Sequence, residues 1–347
     1  MTDPAAPGEL SLDSLKQWIN AHVAEISGPI SVRKFPGGQS NPTFEVTTES
    51  ASYVLRKKPA GKLLPGAHAV EREYRIISAL GALDFPVPKS FGLCEDDSVI
   101  GTPFYLMEKM EGRIFWDPTL PELDREQRRP AYFDMCDVLA RLHQVDPATA
   151  GLSDYGKQGG YISRQIALWK RQYKADETAG RNEHMDRLCR WLPESIPDDG
   201  DLTTLVHGDY RCDNLVFAAA EPRVIAVLDW ELSTLGNPLA DFSYHLMKYR
   251  TPPGLPAGMS GQDPASLGLP TEQEYVQRYC EQTGRSGIDQ LEFYFAYNLW
   301  RLAAIIHGIK GRLIRGNASS TKAGAMVKYL EPLAEAAWQQ ATLAGAE

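Results

Sequence analysis

The sequence has no long apolar run. None of its 347 residues fall in a stretch approaching the roughly 20 apolar residues of a membrane-spanning helix, so no membrane role is expected. Cysteine is sparse: Cys94, Cys136, Cys189, Cys212 and Cys280 are odd in number, scattered and never spaced C-x-x-C. That argues against a disulfide framework and gives no zinc pattern; it suits free thiols in a reducing cytoplasm. An excess of basic charge is also missing. The formal net charge of −9 speaks against a general nucleic-acid binder. The opening "MTDPAAPGELSLD" has neither a basic nor an apolar leader region, so no export signal is expected. Internal repeats and low-complexity tails are absent.

What is present reads as α+β. The length is a soft prior for two domains or two lobes sharing a cleft. An amphipathic helix is expected near Leu10–Val23, from the spacing of Leu12, Leu15, Trp18 and Ile19. Strand-like pieces follow: "ISVRKF", a dense turn signal "PGGQSNPT", then "FEVTTE" and "SYVLRKK". A helix from about His68 to Leu80 and two further strands, "VPKSFGLC" and "PFYLMEKM", complete a small antiparallel sheet with one inserted helix. The division is expected at residues 1–110 and 111–347, with "EGR" (Glu111–Arg113) as the crossover. The second part reads as helical, near 122–143, 162–174, 185–192, 239–249, 272–283, 291–315 and 321–343. Three short apolar runs, "TTLVHG", "NLVFAA" and "RVIAVLDW", interrupt it. The Pro/Gly/Ser-rich stretch Thr251–Pro270 is either a surface loop or a flap over a site.

The chemistry is concentrated in "VHGDYRCDNLVF" and the following "VIAVLD". An Asp general base must be fixed beside a nucleophile, and Mg²⁺ takes oxygen ligands from Asp or Asn, with phosphates completing its shell. A strand–loop–strand hairpin would bring Asn214 and Asp229 to one edge, with Asp209 in the loop before them. Base Asp, metal Asn and metal Asp, in that order, are the parts of a phosphoryl-transfer site.

"HGDYRCDN" followed by "VLDWELSTLGNPLADFSYH" resembles the aminoglycoside phosphotransferase-like family of small-molecule kinases. The resemblance runs from about Ser31 to Leu343. It implies a bilobal protein-kinase-like fold with a small antiparallel-sheet N-lobe and a mainly helical C-lobe. It implies ATP and Mg²⁺ as cofactors, Asp209 as catalytic base, and Asn214 and Asp229 as Mg²⁺ ligands. His207 is expected to orient the loop rather than to react. Many relatives carry Asp where Asn237 stands; Asp241 is expected to cap the next helix and brace the catalytic loop.

On the nucleotide side, Gly37 and Gly38 would let backbone approach phosphates, with Gln39, Ser40 and Asn41 beside them. The G-x-G-x-x-G pattern of protein kinases is absent. Alternation puts Val54, Arg56 and Lys58 on one strand face and Tyr53, Leu55 and Lys57 on the other. Relatives often use Arg here, so Arg56 is expected to hold the α- and β-phosphates, with Lys58 in reserve. Glu73 lies nearer the buried side of its helix than Glu71 and is expected to brace that cation. "FYLMEKMEG" resembles the inter-lobe hinge, with main chain near Glu108 and Met110 holding adenine.

For the acceptor, "NLWRLAAIIHGIKGRLIRGNASSTK" is basic and without acids, unlike a pocket for polycationic drugs. On an unbroken helix Arg301, Arg312 and Arg315 fall within roughly 60° of each other, a face suited to phosphate or carboxylate. Gly308 and Gly311 put that continuity in question. "YVLRKKPAGKLLPGAHAVEREYRIISAL" and "RLAAIIHGIKGRLIRGNASS" resemble the branch of the family found as a kinase domain fused to, or working beside, acyl-CoA dehydrogenases. That implies a hydroxyacyl-CoA acceptor in fatty-acid breakdown, with any dehydrogenase a separate partner. The alternatives are an aminoglycoside, choline or other small alcohol, and a pseudokinase that binds nucleotide and regulates a partner. A protein substrate is not expected, because "DWE" runs almost at once into "GNPLADFSYHLM", leaving no room for an activation segment.

Overall fold

Alternating apolar and polar residues build the first sheet, and the two faces then take different partners. The computed structural model describes residues 10–35, 41–61, 68–198, 202–255, 258–317 and 323–347. Helix α1 (Leu12–His22) precedes strands β1 (Ser31–Lys34), β2 (Thr43–Thr47) and β3 (Ser52–Lys57), then α2 (Val70–Gly81), β4 (Ser90–Cys94), the short α3 (Asp97–Ile100) and β5 (Phe104–Glu108). The strands pair antiparallel in the order β1-β2-β3-β5-β4. Phe44, Val46, Tyr53, Leu55, Phe104 and Leu106 point to one face and bury against Leu15, Ile19, Val23 and Ile26. Fully burying a side chain of this size contributes about 1.5–3 kcal/mol. The period of two sends Arg56 to the opposite face, toward Glu73 on α2. Lys57, on the α1 face, donates instead to the Ile100 carbonyl at 3.2 Å.

The chain continues through α4 (Arg125–His143), α5 (Tyr161–Ala175), α6 (Glu183–Glu194) and β6 (Thr204–Val206). The hairpin β7 (Leu215–Phe217) and β8 (Val224–Val227) follows, then β9 (Thr234–Gly236), α7 (Pro238–Leu246), α8 (Glu272–Thr283), α9 (Leu291–Ile314), α10 (Ala323–Val327) and α11 (Leu330–Leu343). By its contacts the chain forms two units: Met1–Ile114 with Ala150–Leu152 and Asn214–Ser233, and the remainder. This differs from a single boundary after residue 110, because β7–β8 returns to the first unit. Arg113 and Phe217 exchange backbone hydrogen bonds at 2.8 Å each, and the Val227 amide donates to the Pro86 carbonyl at 2.8 Å. Gly112 is required for that approach: a Cβ there would collide with the Phe217 carbonyl and the Val216 side chain.

In the second unit α9 is the axis, burying Phe293, Tyr294, Phe295, Tyr297 and Trp300, with α5, α7 and α11 packed on it. It is unbroken through Gly308 and Gly311. Gly311 has a packing reason, since any Cβ would meet the Asp176 carboxylate. Two expectations are corrected, and one element is added. The helix near 239–249 tightens into a 3₁₀ turn over Met247–Tyr249. The last helix is two, α10 and α11, with residues 321–322 outside the described chain. Strand β9, three residues long and paired with β6, had no periodic signal to announce it. The Thr251–Pro270 segment is tied down where it is described. Met259 and Leu269 are buried, and Arg125 and Arg128 donate to the Ala265 and Leu267 carbonyls at 3.0 Å.

Candidate active site

The expected site residues fall into two groups, one in each unit. In the first unit the β7–β8 hairpin does what its spacing implied. Leu215 pairs with Val227, and the Leu228 amide donates to the Asn214 carbonyl at 2.8 Å, so Asn214 and Asp229 stand at the same end. Asp229 has a left-handed backbone, φ 64 and ψ 61, sparsely populated for a residue with a Cβ. Buried Trp230 anchors this turn: its indole donates to the Val227 carbonyl at 2.9 Å and meets Phe85 edge-on.

Arg56 links this turn to α2. Its Nη1 lies 2.8 Å from Glu73 Oε1 and its Nη2 lies 3.2 Å from Asp229 Oδ1. Burial pushes the Glu73 carboxyl up to about 7 against the pull of Arg56, and Asp229 and Glu231 push the same way as burial. Lys58, the reserve cation, is turned to Glu71 at 2.9 Å. Asn214 and Asp229 offer hard oxygen donors. Among the described residues no three His, Cys, Asp or Glu side chains cluster to hold a metal alone. A Mg²⁺ here would need further oxygens from a bound phosphate, the usual coordination for this ion.

Gly37, Gly38, Gln39 and Ser40 lie outside the described residues. Asn41 is buried, with its Oδ1 3.2 Å from His68 Nδ1. Glu108 closes β5, and its amide is already given to the Lys89 carbonyl at 2.8 Å. Met110 is half-buried just beyond the strand.

In the second unit β6 delivers the loop 207–213. Asp241 braces it from α7, accepting from the amides of His207 at 2.7 Å and Gly208 at 2.8 Å and from His143 Nε2 at 3.2 Å. Burial works to raise the Asp241 pKa; the hydrogen bonds from the His143 ring and the His207 amide overcome it, and the net direction is down. The bracing role was expected, but the cap is Asn237, whose Oδ1 accepts from the Leu239 and Ala240 amides at 2.8 and 3.0 Å. His207 is fully buried, and its Nδ1 accepts from the Asp209 amide at 3.2 Å.

Asp209 Oδ1 accepts from the Tyr244 hydroxyl at 2.6 Å, with Arg211 Nε at 3.5 Å. Tyr244 was missed from the sequence. Its only signal was its place on the helix that follows the Asp229 turn. Burial, with Asp209 beside it, raises its pKa and keeps it a neutral donor.

The three arginines expected to share an acceptor face are separated. Arg301 donates to the Gly208 carbonyl at 3.1 Å and lies 5.3 Å from the Tyr244 ring centre, beside the loop 207–213. Arg315 forms a two-pronged ion pair with Asp176 at 2.7 and 2.9 Å, and Arg312 borders the same shallow groove. At 1.5 Å per residue, Arg301 and Arg315 are about 21 Å apart along α9. Angular coincidence on a helix did not make one site.

Beside the loop 207–213, Trp116, Tyr210, Arg211, Cys212, Tyr244 and Lys248 line a pocket of about 190 Å³. No described helix is long and apolar enough to cross a membrane.

The pattern of the phosphotransferase enzyme family matches residues 31–294. Mouse acyl-CoA dehydrogenase family member 10 is 46% identical over 336 residues, which are 96% of this chain and 31% of that protein. The chain thus spans about a third of that relative. A solved protein from Ralstonia eutropha JMP134, described as a candidate aminoglycoside phosphotransferase, is 46% identical, with TM-score 0.89 over 96% of this chain and 99% of its own. A spectinomycin phosphotransferase solved with ADP and spectinomycin is 14% identical, with TM-score 0.63 over 95% of this chain and 98% of its own, a likeness of fold.

Proposed function

Because the chain belongs to the phosphotransferase enzyme family, we propose that it is an ATP-dependent small-molecule kinase acting on a substrate hydroxyl. The observation that carries this reading is Asp209: an aspartate on a loop braced by Asp241, with its carboxylate fixed by Tyr244. Asp209 takes the hydroxyl proton as the oxygen attacks the γ-phosphorus. The new O–P bond forms as the bond to the bridging oxygen breaks, and ADP leaves. Asn214 and Asp229 would hold Mg²⁺, which supplies charge neutralisation on the phosphate oxygens. Arg56, braced by Glu73, orients the α- and β-phosphates, while residues 37–41 and main chain near Glu108 and Met110 hold the rest of the nucleotide.

The acceptor we propose is a hydroxyacyl-CoA thioester of fatty-acid breakdown, with an acyl-CoA dehydrogenase as a working partner. The relative named for acyl-CoA dehydrogenase supports it.

The test is ADP release with Mg²⁺ and ATP across 4-hydroxyacyl-CoA thioesters, kanamycin, choline and homoserine, for wild type and Asp209→Ala. Loss of the base should lower kcat by about 10²–10⁴-fold with ATP affinity little changed. Near-normal turnover by Asp209→Ala would sink the base assignment. Turnover confined to kanamycin, choline or homoserine would remove the acyl-CoA acceptor and keep the kinase.

A further inference from the structure

Lys248 is buried, 6% exposed, in the wall of the pocket beside the catalytic loop. Its ammonium carries three N–H donors. One faces His245 Nε2 at 3.3 Å, where it competes with the Tyr275 hydroxyl, which lies closer to the same nitrogen at 2.7 Å. His245 Nδ1 lies 3.1 Å from the Tyr210 carbonyl, which can only accept, so Nδ1 carries the proton and Nε2 the lone pair. The ammonium also lies 4.3 Å from the centre of the Tyr132 ring. Among the described residues no carboxylate pairs with it. A buried ammonium with one lone-pair acceptor and an aromatic face leaves hydrogen-bonding capacity unused, which is costly away from water.

The rest of the lining sharpens the point. Arg211 and Asp213 pair at 2.7 Å and offset each other. Burial, with Lys248 alongside, holds the His245 pKa well below its ordinary value, so His245 adds no charge. Burial also lowers Lys248, to about 8, still mostly protonated at neutral pH. With Asp209 3.5 Å from Arg211, the charges around the pocket balance, and Lys248 is left as the cation of the lining without a carboxylate partner. Tyr244, which holds Asp209, stands one helical turn before Lys248 and lines the same pocket.

We propose that Lys248 is the specificity-determining residue of the acceptor site, donating to a carbonyl oxygen of the substrate whose hydroxyl is phosphorylated. The proposal rests on the kinase reading above and adds what the acceptor must carry: an electron-rich oxygen as well as a hydroxyl.

The experiment compares a hydroxyacyl-CoA thioester with the matched hydroxyalkyl thioether, in which a methylene replaces the carbonyl, for wild type, Lys248→Met and Lys248→Gln. In wild type the thioether should lose roughly 10- to 100-fold in kcat/KM, the size of one charge-assisted hydrogen bond. Lys248→Met should bring the thioester down to the thioether's level and leave the thioether and the KM for ATP unchanged. Lys248→Gln, which keeps a donor, should recover part of the difference. A purely structural lysine would lower both acceptors equally, and that result overturns the proposal. If Lys248→Met does not fold, the wild-type ratio decides alone, and a ratio near one overturns it. Asp209-dependent transfer to kanamycin or choline, but to neither CoA compound, removes the Lys248 assignment and leaves the kinase standing. Absence of Asp209-dependent transfer to every acceptor removes both.

Discussion

Arg56 touches two acids at once, and that geometry separates arginine from lysine. Its two terminal nitrogens reach Glu73 and Asp229 in different directions, a span that a single ammonium cannot reproduce. Arg56→Lys should raise the KM for ATP about tenfold with the acceptor KM unchanged, read from initial rates with each substrate varied in turn; a shift in the acceptor KM instead would move Arg56 out of the nucleotide site. Tyr244→Phe tests the other half. It removes only the 2.6 Å hydrogen bond to Asp209, whose net worth to a charged acceptor is about 1.5–3 kcal/mol. A fall in kcat of about ten- to a hundredfold with unchanged ATP binding is expected. Unchanged kcat would mean the Asp209 carboxylate is positioned without it.

At the scale of elements, the loop 207–213 hangs on one carboxylate of α7. Asp241→Asn keeps the shape, yet an amide nitrogen must then face either the Gly208 N–H or the His207 N–H together with His143. A buried donor left without an acceptor costs about 1–3 kcal/mol, so urea unfolding should show a loss of that size; no loss would mean the loop is held elsewhere. The start of α8 carries an acid-sensitive device. Glu274 closes a capping box with Thr271 and takes both prongs of Arg129, which holds its pKa down to about 2. A carboxylate depressed in the folded state contributes stability that is full above its unfolded pKa, about 4.3, and that fades as pH falls through the folded value. Glu274→Gln should therefore flatten the melting temperature between about pH 4.5 and 2 relative to wild type; parallel curves would show that the pair contributes nothing.

These elements also mark where the sequence could be read. Helices with a clean apolar stripe, such as α2, and strands of period two, such as β3, declare themselves locally, and so does a motif whose parts lie within one hairpin, as Asn214 and Asp229 do. Contacts between distant segments do not. Tyr244 meets Asp209 across 35 residues, and β9 pairs with a strand that ends 28 positions earlier. The arginines of α9 failed for a related reason. Periodicity places side chains on one angular face but cannot say that one end of that face meets the catalytic loop and the other meets Asp176.

At the scale of the whole molecule, the return of β7–β8 to the first unit makes a testable claim about cooperativity. By sequence the hairpin directly follows the catalytic loop of the second unit. By hydrogen bonding it is held by the first, through Arg113 and Pro86. Amides that open together share one opening free energy. In native-state hydrogen exchange under mild denaturant, the amides of Phe217 and Val227 should therefore exchange with β3 and β5. They should not follow β6, although β6 lies only nine residues before β7. Arg56, Glu73, Asn214 and Asp229 all belong to the same unit. A non-hydrolysable ATP analogue with Mg²⁺ at a hundred times its Kd should therefore raise that shared opening free energy by about 2.7 kcal/mol, and Asn214→Ala should reduce the gain. Protection that rises in β3 and β5 while Phe217 and Val227 keep pace with β6 would detach the hairpin from the first unit, and with it the two oxygen donors proposed for the metal.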